Sequence, residues 1–176
     1  GHLGDKLKEE VGNGRKYGVS VSYSEESKPL GSAGALKKAS VFLQNKSFIV
    51  VNGDILTSLK VSELVAFHQE DKYVATMALS TEPNTRGYGV AMLRGGKIVK
   101  FLKQDKKQVT QLINAGIYVM NPSFLNYLPK SGAGDLEDVF VKLAGEDKLA
   151  GFPFDGPWFE VSTPENYERA IKSWKK

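Results

Sequence analysis

The chain is expected to fold as an α/β protein on a mostly parallel sheet, and three features of the sequence lead there. In the stretch FIVVNGDILTS, Phe48–Val51 is an unbroken, β-branched apolar run of the kind that forms a strand buried on both faces. A helical pattern at about 61–70 follows, and then a second apolar run, YVATMAL at Tyr73–Leu79, which gives strand, helix and strand in succession. Between them Asn52-Gly53 breaks the first strand and puts Asp54 at its C-terminal end, where open α/β sheets place ligand sites. Two readings stand for this carboxylate. It is a hard oxygen ligand for Mg²⁺ against a phosphate, or it caps the turn that follows.

Length and composition set bounds on the rest. A chain of 176 residues is one domain, 1–176, by length, and it buries about 70% of its unfolded surface. Hydrophobic residues at 41% and charged residues at 25% are ordinary for a globular protein. The net charge of +4 favours anionic small molecules and is too weak to argue for nucleic acid. Disulfides and thiolate metal sites are excluded by the absence of cysteine, and two histidines argue against zinc. A reducing compartment is compatible with this, and a cytoplasmic location is expected. No apolar stretch approaches a membrane span, and GHLGDKLKEE lacks the apolar region of a signal peptide, so no membrane partner is expected.

Taken in order, Leu3, Leu7 and Val11 recur at helical spacing from His2 onward, until Gly12-Asn13-Gly14 stops the helix. His2 is too near the terminus to weigh as a site. Val19, Val21 and Tyr23 alternate with serines and predict a strand with one polar face. LGSAGAL at Leu30–Leu36 puts small residues directly before a helix through Lys37–Ala39. Such residues allow a ligand close to the backbone and to free N–H groups, or serve tight packing of the helix. In the helix at Val61–Glu70, His68 is expected to be a partly exposed residue and not a ligand. Tyr88–Leu93 and Lys97–Phe101 meet across Gly95-Gly96 as a hairpin. Arg94–Lys107 carries six cations against Asp105, either a solvated edge or a phosphate-facing patch.

Leu112–Met120 is another strand, interrupted at Asn114-Ala115-Gly116, where glycine marks close approach of a ligand or backbone. A short helix opens at Pro122. Asp135 caps the helix that follows, with Asp138 in capping-box position. Phe152–Phe159 is an irregular apolar strand region. Thr163 then caps a last helix with Pro164 at its first position, and Tyr167, Ala170, Ile171 and Trp174 form its apolar stripe.

Several of these stretches together resemble the sugar-phosphate nucleotidylyltransferases, the mannose-1-phosphate guanylyltransferase and glucose-1-phosphate thymidylyltransferase group. PLGSAGAL at Pro29–Leu36 is similar to that family's PLGTAGAL, and VVNGD at Val50–Asp54 to its metal-binding motif. YGV at Tyr88–Val90, NAGIYV at Asn114–Val119 and WFEVSTPENY at Trp158–Tyr167 follow in the family's order. The resemblance implies a three-layer α/β/α sandwich, a Rossmann-like nucleotidyltransferase fold with a small antiparallel hairpin lobe at about 88–101. It also implies a reaction in which a sugar 1-phosphate attacks the α-phosphorus of an NTP and pyrophosphate leaves. In that reaction Asp54 and Glu160 would hold Mg²⁺. Leu30, Gly31, Ser32, Ala33 and Gly34 would line the nucleotide, and Gly89, Asn114 and Glu137 would contact the sugar.

The departures matter as much. A GxGTRL loop that cradles the triphosphate is not found, so the chain reads as a family member that starts late: a truncation, a proteolysed product or half of a split fold. By itself it is expected to be inactive, and its uncovered sheet edge is expected to drive self-association. FLKQD at Phe101–Asp105 stands where the family has FxEKP, which leaves Lys103 as a doubtful sugar-phosphate contact. Glu160 replaces an Asp and Ser162 a Gly. The alternative to an enzyme is a non-catalytic homologue that binds a nucleotide sugar or regulates a partner.

Overall fold

The computed structural model describes residues 3–43, 45–70, 72–104 and 107–174; His2, Asp105 and Lys106 lie outside them. In chain order the helices and strands are α1 (Gly4–Val11), α2 (Gly31–Ala39), β1 (Phe48–Val51), β2 (Ile55–Thr57), α3 (Val61–Glu70), β3 (Ala75–Thr81), β4 (Val90–Arg94), β5 (Lys97–Leu102), β6 (Leu112–Met120), α4 (Leu136–Gly145), β7 (Leu149–Pro153), β8 (Trp158–Glu160) and α5 (Pro164–Ser173). A 3-10 segment at Pro122–Tyr127 stands where the short helix was expected. The residues form two units, Gly1–Asn45 with Leu125–Leu136, and Lys46–Phe124 with Glu137–Lys176.

The larger unit carries a six-stranded sheet in the order β1-β6-β3-β7-β5-β4. β6 runs antiparallel to β1 and to β3, so those two strands point the same way with β6 between them. β3 and β7 pair in parallel, whereas β4–β5, β4–β6 and β5–β7 are antiparallel. The sheet is therefore mixed, which corrects the expectation of a mostly parallel one. An apolar run reports burial on both faces, whichever way the neighbouring strands run. Direction is set by the connections, and a later strand, β6, has entered between β1 and β3.

β1 itself is a second correction. It is an edge among the described strands, and Ile49 and Val51 are 45% and 53% exposed. Four apolar residues in a row do not distinguish burial on one face from burial on two. The hairpin forms as expected, with Gly95 and Gly96 at φ 56° and 80° in a tight turn that only glycine enters cheaply. It is no separate lobe, because β4 joins β6 and β5 joins β7 within the same sheet.

Leu64 of α3 packs with Ala78, Ile113, Ala115, Ile117, Val119 and Trp158. Phe140 of α4 lies against Tyr118, with ring centroids 4.8 Å apart, and meets Phe101 and Phe124 at 6.0 Å. The two helices thus meet β6 residues of opposite parity, as strand geometry requires of helices on different faces. His68, expected to be partly exposed, is buried at 2% with Nδ1 2.8 Å from Thr76 Oγ1. Its place four residues after Leu64 puts it on the same packed face of α3.

In the smaller unit α1 ends at Gly12, whose φ is 62°. The stretch Val19–Tyr23 forms no strand. Its amides turn back on the α1 terminus: Val19 N–H donates to Gly14 O and Val21 N–H to Asn13 O, so they do not enter a ladder. The small residues expected to precede α2 are part of that helix, which opens at Gly31.

Candidate functional site

Two clusters of polar side chains form within the larger unit. The first depends on a two-stranded ribbon. β2 pairs antiparallel with β8, Ile55 opposite Glu160 and Thr57 opposite Trp158. Val161 N–H donates to Asp54 O at 2.8 Å, which carries the pairing one step further. Asp54 and Glu160, far apart in sequence, are thereby brought to the same end of the ribbon on adjoining strands. Both are half-buried. Burial raises the Glu160 carboxyl above its ordinary value, the Asp54 charge raises it further, and a hydrogen bond with Ser162 opposes both.

Asn52, just before this carboxylate, explains the glycine in β6. Its N–H donates to Gly116 O at 2.8 Å. A Cβ on Gly116, which has φ 72°, would lie 2.9 Å from Asn52 Nδ2. Both the backbone and the side chain of Asn52 make the close approach here, which bears out the backbone part of the expectation.

The second cluster joins the three residues expected to contact sugar. Asn114 N–H donates to Gly89 O at 2.8 Å. A Cβ on Gly89 would stand 2.7 Å from both Glu137 Oε1 and Phe101 Cζ, so only glycine fits beside that carboxylate. Asn114 Oδ1 accepts from Gly116 N–H at 3.0 Å. Tyr88 leads toward the carboxylate ribbon. Its ring meets Trp158 edge-on at 5.7 Å. Its phenol is raised by burial and then by the charges of Glu160 and Glu82, with Arg169 opposing. Trp158 Nε1–H in turn donates to Ala115 O at 3.0 Å.

Lys103 is exposed and its Nζ lies 2.9 Å from Asp138 Oδ1. Leu30–Gly34 lie in the smaller unit. There Gly134 O accepts from Ala33 N–H at 2.8 Å and from Gly34 N–H at 3.3 Å. A Cβ on Gly31 would be 2.5 Å from Gly134 O, and Ser32 Oγ accepts from Leu136 N–H at 2.8 Å. Of the two sequence readings of this segment, tight packing through small residues accounts for these distances, although the packing partner is a loop. Sequence reasoning missed Tyr88 and Tyr118 as neighbours of the expected site residues. Each lies within a family-like motif, YGV or NAGIYV, whose glycine or asparagine carries the expected role.

Asp54 and Glu160 offer hard oxygen donors, and the Asp54 charge disfavours ionisation of Glu160. Among the described residues no group of three or more His, Cys, Asp or Glu is gathered for a metal. That donor set fits Mg²⁺, which is held by one or two carboxylates while water and substrate phosphates complete its shell.

Comparison with known proteins adds three findings. The family model for nucleotidyl transferases matches residues 2–176. The chain is 33% identical over 156 residues to a mannose-1-phosphate guanyltransferase of Yarrowia lipolytica, covering 86% of this chain and 43% of that protein. It is 30% identical to the mannose-1-phosphate guanylyltransferase catalytic subunit beta of Dictyostelium discoideum, covering 87% and 44%. The chain thus spans less than half the length of these curated relatives. Its fold superposes with a TM-score of 0.87 and 22% identity on a Bacillus anthracis protein assigned as a glucose-1-phosphate thymidylyltransferase and solved with sucrose, covering 98% of this chain and 74% of that one.

Proposed function

The chain belongs to the nucleotidyl transferase family, and on that premise we propose that it serves the transfer of a nucleotidyl group from an NTP to a sugar 1-phosphate. A phosphate oxygen of the sugar 1-phosphate attacks the α-phosphorus, the bond to the β-phosphate oxygen breaks, and pyrophosphate leaves with that electron pair. The attacking oxygen is already ionised, so no side chain has to remove a proton; position and charge compensation do the work. Asp54 and Glu160 would hold Mg²⁺, which supplies charge neutralisation on the reacting phosphates. Gly89, Asn114 and Glu137 orient the sugar through a close backbone approach, an amide and a carboxylate. Leu30–Gly34 line the base and ribose.

The observation that carries the reading is the pairing of β2 with β8, which brings Asp54 and Glu160 to one end of the ribbon, where the Asp54 charge helps to raise the Glu160 carboxyl. A three-layer arrangement of the larger unit belongs to the same proposal, supported by α3 and α4 meeting β6 residues of opposite parity. So does a cytoplasmic location. Among the described residues no helix is long and apolar enough to cross a membrane. Self-association is proposed at the β1 edge, where Ile49 and Val51 are exposed.

A second reading has one observation in its favour. Lys103 stands in the family's phosphate-contacting stretch yet forms an ion pair with Asp138, as suits a homologue that binds a nucleotide sugar without turning it over. The experiment is an assay with GTP, mannose 1-phosphate and Mg²⁺, followed by other NTP and sugar 1-phosphate pairs. In a parallel titration, GDP-mannose binding that needs Mg²⁺ and is lost in Asp54→Asn supports the first reading, in which this chain alone is expected to turn over nothing, and robust NDP-sugar formation would overturn that expected inactivity. GDP-mannose binding equally tight in chelator supports the second.

A further inference from the structure

Trp158 is 5% exposed and has no part in the reaction above. An indole at that depth needs an acceptor for its N–H, and Nε1–H donates to Ala115 O of β6 at 3.0 Å. The next carbonyl along β6, Gly116 O, accepts from Asn52 N–H at 2.8 Å. Asn52 stands two residues before Asp54, and Trp158 stands two residues before Glu160. Consecutive carbonyls thus hold the two arms that carry the carboxylates. They come from an irregular point in β6, whose register against β3 slips between Met77–Tyr118 and Leu79–Asn114, so that Ala115, Gly116 and Ile117 stand against Ala78 alone. A bulge of this kind re-aims groups beside a site. The β2–β8 ribbon is only two short strands, and such a pair is marginal in water by itself. Its carboxylates keep their spacing only if something larger holds the ribbon.

We propose that Trp158 is a positioning residue, which clamps β8 to the β6 bulge and so holds Glu160 at the spacing from Asp54 that one cation needs. Trp158 shares a face of β8 with Glu160, because side chains alternate along a strand. Its ring is met edge-on by Tyr88 at 5.7 Å. An indole fixed at both its N–H and its ring fixes the start of the strand on which Glu160 sits. The cation is the Mg²⁺ that Asp54 and Glu160 would hold, so the inference rests on the function proposed above.

Trp158→Phe keeps a ring against Tyr88 and removes the Nε1–H donor. GDP-mannose is titrated into the full chain at a series of Mg²⁺ concentrations. The substitution is expected to raise the Mg²⁺ needed for half the effect by roughly five- to tenfold, the cost of one lost positioning hydrogen bond, with binding restored at saturating Mg²⁺. A second readout needs no substitution. A clamp that favours the cation must be favoured by it to a comparable factor. Hydrogen exchange at the Trp158 indole N–H, followed by NMR, should therefore slow when Mg²⁺ is added to the chain with GDP-mannose. An unchanged Mg²⁺ midpoint overturns the inference and leaves the function standing, even where the variant's denaturant midpoint falls, because that pattern marks a merely structural role. Unchanged indole exchange overturns it as well, and decides the matter if the variant does not fold. If GDP-mannose binds the unsubstituted chain equally tightly in chelator, the function and the inference fail together.

Discussion

The two polar corners of the larger unit are built on opposite terms. At Gly89, Asn114 and Glu137 the groups hold one another: a backbone bond at 2.8 Å, an amide tied to Gly116 at 3.0 Å, and a carboxylate against a glycine that leaves space for nothing larger. At Asp54 and Glu160 two carboxylates are half-buried, and Glu160 is raised by its burial and then by the Asp54 charge, with Ser162 opposing both. A corner satisfied in advance suits recognition of a neutral, hydroxyl-rich ligand. A corner left in electrostatic debt suits a cation, which arrives with the charge that is missing.

Substitutions should separate the two corners. The largest effect is expected from Asp54→Ala, which removes half of the cation site. Mg²⁺-dependent binding of GDP-mannose should weaken by roughly 100-fold, in line with the several kcal/mol that a bound metal contributes, while thermal stability in chelator holds or rises. Loss of stability there instead would mean that Asp54 is a turn cap and that the contrast is misplaced.

Gly89→Ala comes next, at the satisfied corner. The added Cβ would lie 2.7 Å from Glu137 Oε1 and Phe101 Cζ, so denaturant titration should show a loss of about 1–3 kcal/mol. An unchanged midpoint would show that the corner is looser than its distances imply.

A smaller effect is expected in the pH dependence of Glu160. Its folded carboxyl lies above the ordinary 4.5, so the folded chain holds this proton more tightly than the unfolded chain does. In chelator the resulting stability is fully present below 4.5 and is lost as pH rises through the raised value. Glu160→Gln should remove that fall, seen as a Tm advantage over the unsubstituted chain that grows with pH. Asp54→Asn should bring the NMR titration of Glu160 back toward the ordinary value. A Glu160 that titrates identically in that variant would place the two carboxylates too far apart to share an ion.

Lys103→Ala should do least. Its ion pair with Asp138 is 42% and 66% exposed, and solvent screening limits such pairs to about 0.5 kcal/mol. A drop in sugar 1-phosphate affinity greater than that would return Lys103 to the phosphate-contacting role its position first suggested.

How much of this was legible depended on whether the signal was local. α3 spans Val61–Glu70 as expected, and α5 opens where Thr163 accepts from Asn166 N–H at 3.2 Å with Pro164 behind it. Caps and prolines act within one turn, so a sequence states them openly. β6 was equally clear from Leu112 to Met120. Strand direction and edge position were not, because they depend on partners remote in sequence. Phe48–Val51 looks the same whether its second face is covered or open. Val19–Tyr23 has the alternation of a strand but pairs with no strand among the described residues, and the Val19 and Val21 amides are used by Gly14 and Asn13. The site divides likewise. Asp54 and Glu160 were found through motifs, yet the reason they meet, the β2–β8 ribbon, went unnoticed in two runs of three residues. Gly116 marks a close backbone approach as expected, but that the approach comes from Asn52, beyond another strand's end, is not readable locally.

The central claim is that the carboxylate corner is a cation site for phosphate chemistry, and one titration tests it most directly. GDP-mannose is added to the chain by calorimetry, once with Mg²⁺ and once in chelator. Tight binding that requires Mg²⁺, and that disappears in Asp54→Ala, is the result expected. Binding equally tight in chelator would contradict the account and leave a nucleotide-sugar-binding protein that makes no use of its two carboxylates.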